Sequence, residues 1–422
     1  MKKTLVTALI LFAALYAGAQ SPLGLNYPLG VPDLAVAGAS AVLGGGGTAA
    51  VEEYMSSSLN PANAAVGNRS IFSALISYDI TNIYDNGDFA WASGYMPKLL
   101  SLILPVGQAG NVVFAMQKRY DANLNFYTTR VDTLESATLA IHTPTTEIRR
   151  QGGLSSWQAG WAYRFGNGVG LGLIYERLFF NLNSRIISKS SLYIGGESYS
   201  TTVKDSSVTD FAGNGIRFGV QIPVHEKVTL GFAGEYILPG EGNGSEAGEY
   251  RRDDDNSVIK TYHKKFAATL PPSMSIGAAY RPSDHWLIAA DAGSVLWDFY
   301  ENSLDTTNAT KPERELGISV GARYVPAANV LSSKYWEKVH YGGGVRYATL
   351  PNAKDYDRAR MYAFSLGAGL PIPRDGGMVD IVVSFGRRSD PKYSGYEEGF
   401  VKLQIGLNGG RNWFQKDASK EY

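Results

Sequence analysis

Three groups of residues carry side chains that do chemistry in other proteins. The five histidines, His142, His225, His263, His285 and His340, would bind zinc or move protons if they shared a short spacing. None stands at a metal-ligand interval from another or within a zinc-protease pattern. Gly166, Gly168, Gly170 and Gly172 resemble a phosphate-cradling loop, but a spacing of two is one face of a strand and no Lys-Ser/Thr follows. Arg251-Arg252-Asp253-Asp254-Asp255-Asn256 gathers carboxylates that could hold Ca²⁺. Without the alternating ligands of a calcium loop it reads as a solvated, self-neutralising cluster. There is no nucleophile elbow and no carboxylate pair in a catalytic context. The sequence points away from an enzyme, with no catalytic residue, cofactor or metal expected, and toward a protein that works through its architecture.

Met1-Lys2-Lys3, the apolar run from Leu5 to Ala17 and the small residues Ala17-Gly18-Ala19 read as a signal peptide over residues 1–19. No later run reaches the roughly 20 apolar residues of a membrane-spanning helix. An exported chain of this kind is either soluble or crosses a membrane as a barrel. Lys+Arg and Asp+Glu are equal at 39 each, which argues against nucleic acid as a partner. Cysteine is absent, so the fold must close without disulfides. The 48 glycines and 26 tyrosines suit a sheet with a crowded inner wall and an amphipathic rim.

From Pro22 to Ala65 the chain is rich in Gly and Ala and lacks β periodicity. Thr48 to Glu53 reads as an N-cap followed by a short helix. At Asn60-Pro61-Ala62 a fixed corner is expected, because proline sets φ, Asn bonds its neighbouring backbone, and a small residue allows a close wall. After Arg69 the period becomes two. Ile216, Phe218, Val220 and Ile222 oppose Arg217, Gly219 and Gln221, and the same split recurs at 228–236, 318–324, 379–386 and 401–407. Fourteen strands are expected near 69–79, 88–104, 111–120, 157–165, 168–180, 211–222, 228–238, 272–281, 286–297, 315–325, 339–347, 361–370, 378–387 and 398–407.

Most connections on one side are tight. Those on the other, at 121–156, 181–210, 239–271, 298–314, 348–360 and 388–397, read as mostly long polar loops. One tight rim and one long rim is the plan of an outer-membrane barrel with periplasmic turns. The expected fold is all-β: a 14-stranded antiparallel transmembrane β-barrel over 67–410. A small helical or irregular hatch, 20–66, would sit in its lumen, and a periplasmic tail would follow from 411 to 422. Arg217, Gln221, Glu235, Arg323 and Arg346 are expected to face the lumen and serve the hatch backbone. Tyrosines near strand ends, Tyr78, Tyr95, Tyr120, Tyr163, Tyr175, Tyr236, Tyr280, Tyr324 and Tyr347, would form the aromatic girdles.

Three stretches resemble the FadL family of outer-membrane transporters of long-chain fatty acids and other hydrophobic compounds, in the variant found in Bacteroidota and related phyla. They are Asn60-Pro61-Ala62 after the Gly/Ala-rich segment, Leu270-Pro271-Pro272-Ser273 through Gly277, Tyr280-Arg281-Pro282, Asp291 and Trp297, and the close from Phe385-Gly386-Arg387-Arg388 through Phe400–Leu407 to Trp413-Phe414. The resemblance implies a Sec-exported protein of the Gram-negative outer membrane, in contact with its lipid and monomeric. It would take up a hydrophobic small molecule, a fatty acid or detergent-like compound, past a hatch gated at Asn60, Pro61 and Ala62 and out sideways. Leu178, Phe179, Phe180, Leu192 and Tyr193, at the top of one hairpin, would capture that ligand. Two other readings remain open: a docking or secretion partner for surface proteins, as in barrels similar to PorV, and a soluble exported binding protein.

Overall fold

The computed structural model describes residues 29–32, 39–52, 59–67, 69–85, 88–129, 132–134, 140–194, 197–252, 255–303, 314–327, 334–350, 359–372, 377–389 and 396–411. The expected signal peptide, Asp253-Asp254 of the acidic cluster and the tail beyond 411 lie outside these residues.

Fourteen strands form the wall: β1 (Ser70–Asp85), β2 (Asp88–Pro105), β3 (Asn111–Asp121, continued by Leu124–Thr129 and Asp132–Leu134), β4 (Ala140–Arg164), β5 (Gly170–Ile194), β6 (Glu197–His225), β7 (Val228–Arg252), β8 (Asp255–Thr269 and Ser273–Ser283), β9 (Trp286–Val295), β10 (Glu315–Tyr324), β11 (His340–Thr349), β12 (Arg360–Ile372), β13 (Gly377–Ser389) and β14 (Tyr396–Arg411). Leu270-Pro271-Pro272 divides β8, because proline has no N–H to give the ladder. Each strand pairs antiparallel with the next, and β14 pairs with β1 from Tyr396↔Asp85 to Arg411↔Ser70, closing the sheet. Closure satisfies backbone groups that no water could reach inside a bilayer.

Alternation sorts the side chains between two environments. Ile216, Phe218, Leu230, Phe232, Ile276 and Ile318 are exposed on the outer face, whereas their neighbours Gln221, Glu235 and Ser319 are buried toward the lumen. This inside-out polarity belongs to a barrel in hydrocarbon, and it removes the soluble binding protein as a reading. Tyr95, Tyr175, Tyr236, Tyr280 and Tyr324 stand on the outer face as expected. Tyr120 does not: a bulge between Lys118 and Tyr120 shifts the register of β3 and turns Tyr120 into the barrel, where it is 7 % exposed.

Two other expectations are corrected. The segments 140–156, 181–194, 197–210, 239–252 and 255–269 are strands, not loops. β6 has 29 residues, about 95 Å at ~3.3 Å each, whereas 9–11 tilted residues cross a bilayer. The wall from β4 to β8 therefore rises well beyond the membrane. There both faces meet water, as at Ser188-Lys189-Ser190-Ser191 against Ser200-Thr201-Thr202-Val203, and no alternation remains in the sequence to mark the strand. Thr48 caps no helix either. Its N–H goes to Asp291 of β9, and the one short α-helix described in the N-terminal segment, α1, is Ala39–Val42.

Candidate functional site in the barrel lumen

The N-terminal segment crosses the lumen close to the end of the barrel that bears the tight turns. Asn60 is the N-cap of a 3₁₀ turn, Pro61–Ala65, and accepts from Ala62 N at 2.9 Å. Its Nδ2 donates to Thr48 O at 2.7 Å and to Val220 O of β6 at 3.2 Å. Gln221 of β6 donates to Asn63 Oδ1 at 2.6 Å and to Ala50 O at 3.2 Å. Asn111 of β3 donates to Ala64 O at 2.6 Å. On the opposite wall Asp291 Oδ2 accepts Gly47 N at 2.5 Å and Thr48 N at 2.9 Å. Glu52 is held by Arg323 of β10 in a two-pronged pair and by Arg281 of β8 at 2.9 Å. Apart from the second oxygen of Asp291, the buried amides and carboxylates named here thus have partners, as a polar segment enclosed in a barrel requires.

Where this segment meets the wall, the wall is glycine. A Cβ at Gly231 would lie 2.4 Å from Thr48 O, and one at Gly344 would lie 2.4 Å from Gly44 N. Of the four period-two glycines seen in the sequence only Gly172 is such a contact point, its Cβ falling 2.3 Å from Pro61 C; Gly166 and Gly168 lie in the turn before β5, and Gly170 faces the Arg164 side chain. Gly231→Val should displace the segment at a cost of about 1–3 kcal/mol. The expected result is faster limited proteolysis within residues 39–67 while the barrel band on gels stays heat-modifiable.

Above the segment lies a charged layer. Arg119 of β3 donates to Glu235 of β7 in a bidentate pair, one arm at 2.5 Å, and to Glu176 of β5 at 3.1 Å. Arg217 of β6 reaches Glu176 at 3.5 Å, Gln158 of β4 donates to Glu176 at 2.7 Å, and Ser273 of β8 donates to Glu235 at 3.1 Å. A cavity of about 220 Å³ adjoins this layer. Two residues further along β5 the lumen turns apolar: Leu29, Tyr120, Leu154, Leu178, Phe180, Phe211, Ile237, Phe266, Leu270 and Trp297 form one buried cluster.

The ligand-capture residues expected on a loop are placed differently. Leu178 and Phe180 lie in β5 and point into the apolar cluster, while Phe179 points outward and is 42 % exposed. Leu192 and Tyr193 pair along β5–β6 with Tyr199 and Ser198, so they too are in strand. Arg217, Gln221, Glu235, Arg323 and Arg346 contact the segment or line the cavity. Sequence reasoning passed over Arg119, Gln158 and Glu176. Glu176 and Gln158 alternate with Tyr175 and Trp157, and Arg119 continues the inward series Asn111, Val113, Ala115 and Gln117, so all three could have been found by alternation.

One part of the wall is open. β2 and β3 pair from Leu99↔Gln117 to Pro105↔Asn111, and no pairing continues beyond Leu99 among the described residues. From the Lys118/Tyr120 bulge onward β3 and its continuation stay with β4. On the free side of β3 the N-terminal segment supplies a two-residue strand, Val31↔Asp121 and Pro32↔Tyr120. The gap therefore opens beside the apolar cluster, to which Tyr120 and Leu29 both belong.

The fold is similar to that of a Pseudomonas aeruginosa FadL homologue, with TM-score 0.58 and 13% identity over 94% of this chain and 100% of that one. It is also similar to the Pseudomonas putida toluene transporter TodX, with TM-score 0.57 and 16% identity over 91% of this chain and 100% of that one. The CymD monoaromatic hydrocarbon channel gives TM-score 0.57 and 15% identity over 91% and 98%. At such identities the likeness is one of fold. No curated protein matches the sequence. The family model BamG matches residues 1–419, and the chain, a closed fourteen-stranded barrel of FadL type, belongs to the BamG family.

Proposed function

We propose that this protein is an outer-membrane channel of a Gram-negative bacterium for a small hydrophobic compound, with the N-terminal segment as its hatch. The cargo enters at the end with long hairpins, dissolves among Leu178, Phe180, Phe211 and Trp297, and leaves sideways between β2 and β3. The observation that supports this reading best is the unpaired wall beside a buried apolar cluster, stoppered by Val31–Pro32. Such a path avoids the charged layer, where Arg119 and Glu176 would offer a hydrocarbon no favourable contact. The named function of the similar channels, transport of toluene and monoaromatic hydrocarbons, agrees with cargo of this class. Asn60, Pro61 and Ala62 act here as the fixed corner about which the hatch is set.

Because the sequence has no cysteine, the stopper can be locked cleanly. Directly opposed residues of an antiparallel pair have Cα atoms about 4.5–5.5 Å apart, within the range a disulfide bridges. Cysteines at Val31 and Asp121 should therefore crosslink. Uptake of labelled toluene or fatty acid should fall at least tenfold in the oxidised double variant and return on reduction. Equal uptake in both redox states would exclude Val31–Pro32 as the gate.

A further inference from the structure

The cavity beside the charged layer touches the apolar cluster at Tyr120, but its charged lining offers nothing to a hydrocarbon. Its lining carries Arg119, Arg217 and Arg346 against Glu235, Asp291 and Glu315, three charges of each sign. Arg119 and Glu235 neutralise each other. Arg217 is matched by Glu176, and Arg346, Glu315 and Asp291 are less fully used. Arg346 Nε, Glu315 Oε2, Asp291 Oδ1 and Ser294 Oγ are all buried and lack a hydrogen-bond partner among the described residues. Glu315 is only 7 % exposed. Arg346 is placed by the absence of a side chain at Gly317, whose Cβ would stand 3.3 Å from its Nη2. Ser275 and Ser319 add hydroxyls to the same lining, and Gly45 and Thr48 of the N-terminal segment close it on one side.

A buried guanidinium and two partly used carboxylates cost several kcal/mol each unless something between them supplies hydrogen bonds. The volume is room for about seven waters at ~30 Å³ each, or for one small amino acid. A hydrocarbon leaves all of these groups unsolvated. A bare cation leaves the Arg346 guanidinium unmatched, and a bare anion leaves both Glu315 and Asp291 unmatched. A molecule with a carboxylate at one end and an ammonium at the other satisfies both halves, since the guanidinium fork matches a carboxylate bidentately. We propose that this cavity is a binding site for a small zwitterion of the α-amino acid class. Its carboxylate sits on Arg346, and its ammonium on Glu315 and the free oxygen of Asp291. The N-terminal segment forms one wall of the site, so occupancy favours the closed arrangement of that segment.

The test uses the full-length protein in detergent and three probes of similar size: L-alanine, alaninamide, which lacks the carboxylate, and propionate, which lacks the ammonium. Equilibrium dialysis should show one alanine per chain, with both analogues bound at least tenfold more weakly. Arg346→Gln and Glu315→Gln should each weaken alanine binding at least tenfold while heat-modifiable migration is kept. Should either variant fail to fold, the probe series on the unaltered protein still decides. No alanine retained at millimolar concentration, equal retention of the three probes, or full binding by a folded Arg346→Gln variant would each overturn the site and leave a water-filled cavity.

Discussion

A barrel lacking residues 20–66 is expected to conduct ions steadily across a planar bilayer, while the intact protein stays close to the conductance of bare lipid. The expectation comes from how the lumen is filled. On the level of Gly172, Gly219, Gly231 and Gly277 the wall presents no side chains, and Pro61, Asn60 and Thr48 occupy the space. Removing them leaves a floor lined by backbone and by Gln221, Asp291 and Arg323, which water wets readily. The barrel itself should still assemble, since its closure runs through the β14–β1 ladder and uses nothing from the segment. Above the floor the apolar cluster loses Leu29 and the gap loses Val31–Pro32, so the deletion also removes the stopper. If conductance does not rise although the deleted protein is heat-modifiable, the side chains of the charged layer close the lumen alone and the segment is no plug.

Much of this was legible in the residue order, for a physical reason. A strand between hydrocarbon and a polar lumen must alternate, so Ile216/Phe218/Ile222 against Arg217/Gly219/Gln221 reveals both the strand and its faces. All fourteen strands of the wall were found in this way. Where that contrast of solvents ends, legibility ends as well: Ser184, Ser188 and Ser190 sit in a continuous strand that reads as loop. Bulges are a second blind spot. One inserted residue at Lys118/Tyr120 sends Tyr120 inward and frees β3 from β2, and nothing in Gln117-Lys118-Arg119-Tyr120 announces it.

The resemblance motifs carried more than their spacing showed. Gly277, Arg281, Asp291 and Trp297, separate in sequence, meet the N-terminal segment or the apolar cluster in space. Gly277 lacks a Cβ that would collide with Asp291, Asp291 holds Gly47 and Thr48, Arg281 holds Glu52, and Trp297 packs in the cluster with Leu29. The Gly/Ala-rich composition before Asn60 is thus explained by a backbone that must lie close to the wall, against the Val345 backbone at Gly44 and against the Ser319 and Asp291 side chains at Gly46.

Replacing Arg119 by alanine should produce the largest loss of stability of any single substitution in the lumen. Arg119 pairs directly with both Glu176 and Glu235, and its two partners are 0 % and 5 % exposed. Without it Glu235 keeps the hydroxyl of Ser273, and Glu176 keeps Gln158 and the more distant Arg217, but two carboxylates then face each other in a space closed to bulk water. Breaking a buried pair from one side costs about 3–5 kcal/mol, mostly as the desolvation of the charge left behind. The same reasoning predicts rescue. In the double variant Arg119→Met, Glu235→Leu the second charge is gone, so stability should return by at least half of the loss. Urea unfolding in detergent, followed by the loss of heat-modifiable migration, measures both steps. A coupling energy of 2 kcal/mol or more across the double-mutant cycle, in the upper part of the range of about 0.5–3 kcal/mol seen for directly contacting residues, is the expected result. Additive effects would mean that Arg119 and Glu235 do not meet in the folded barrel.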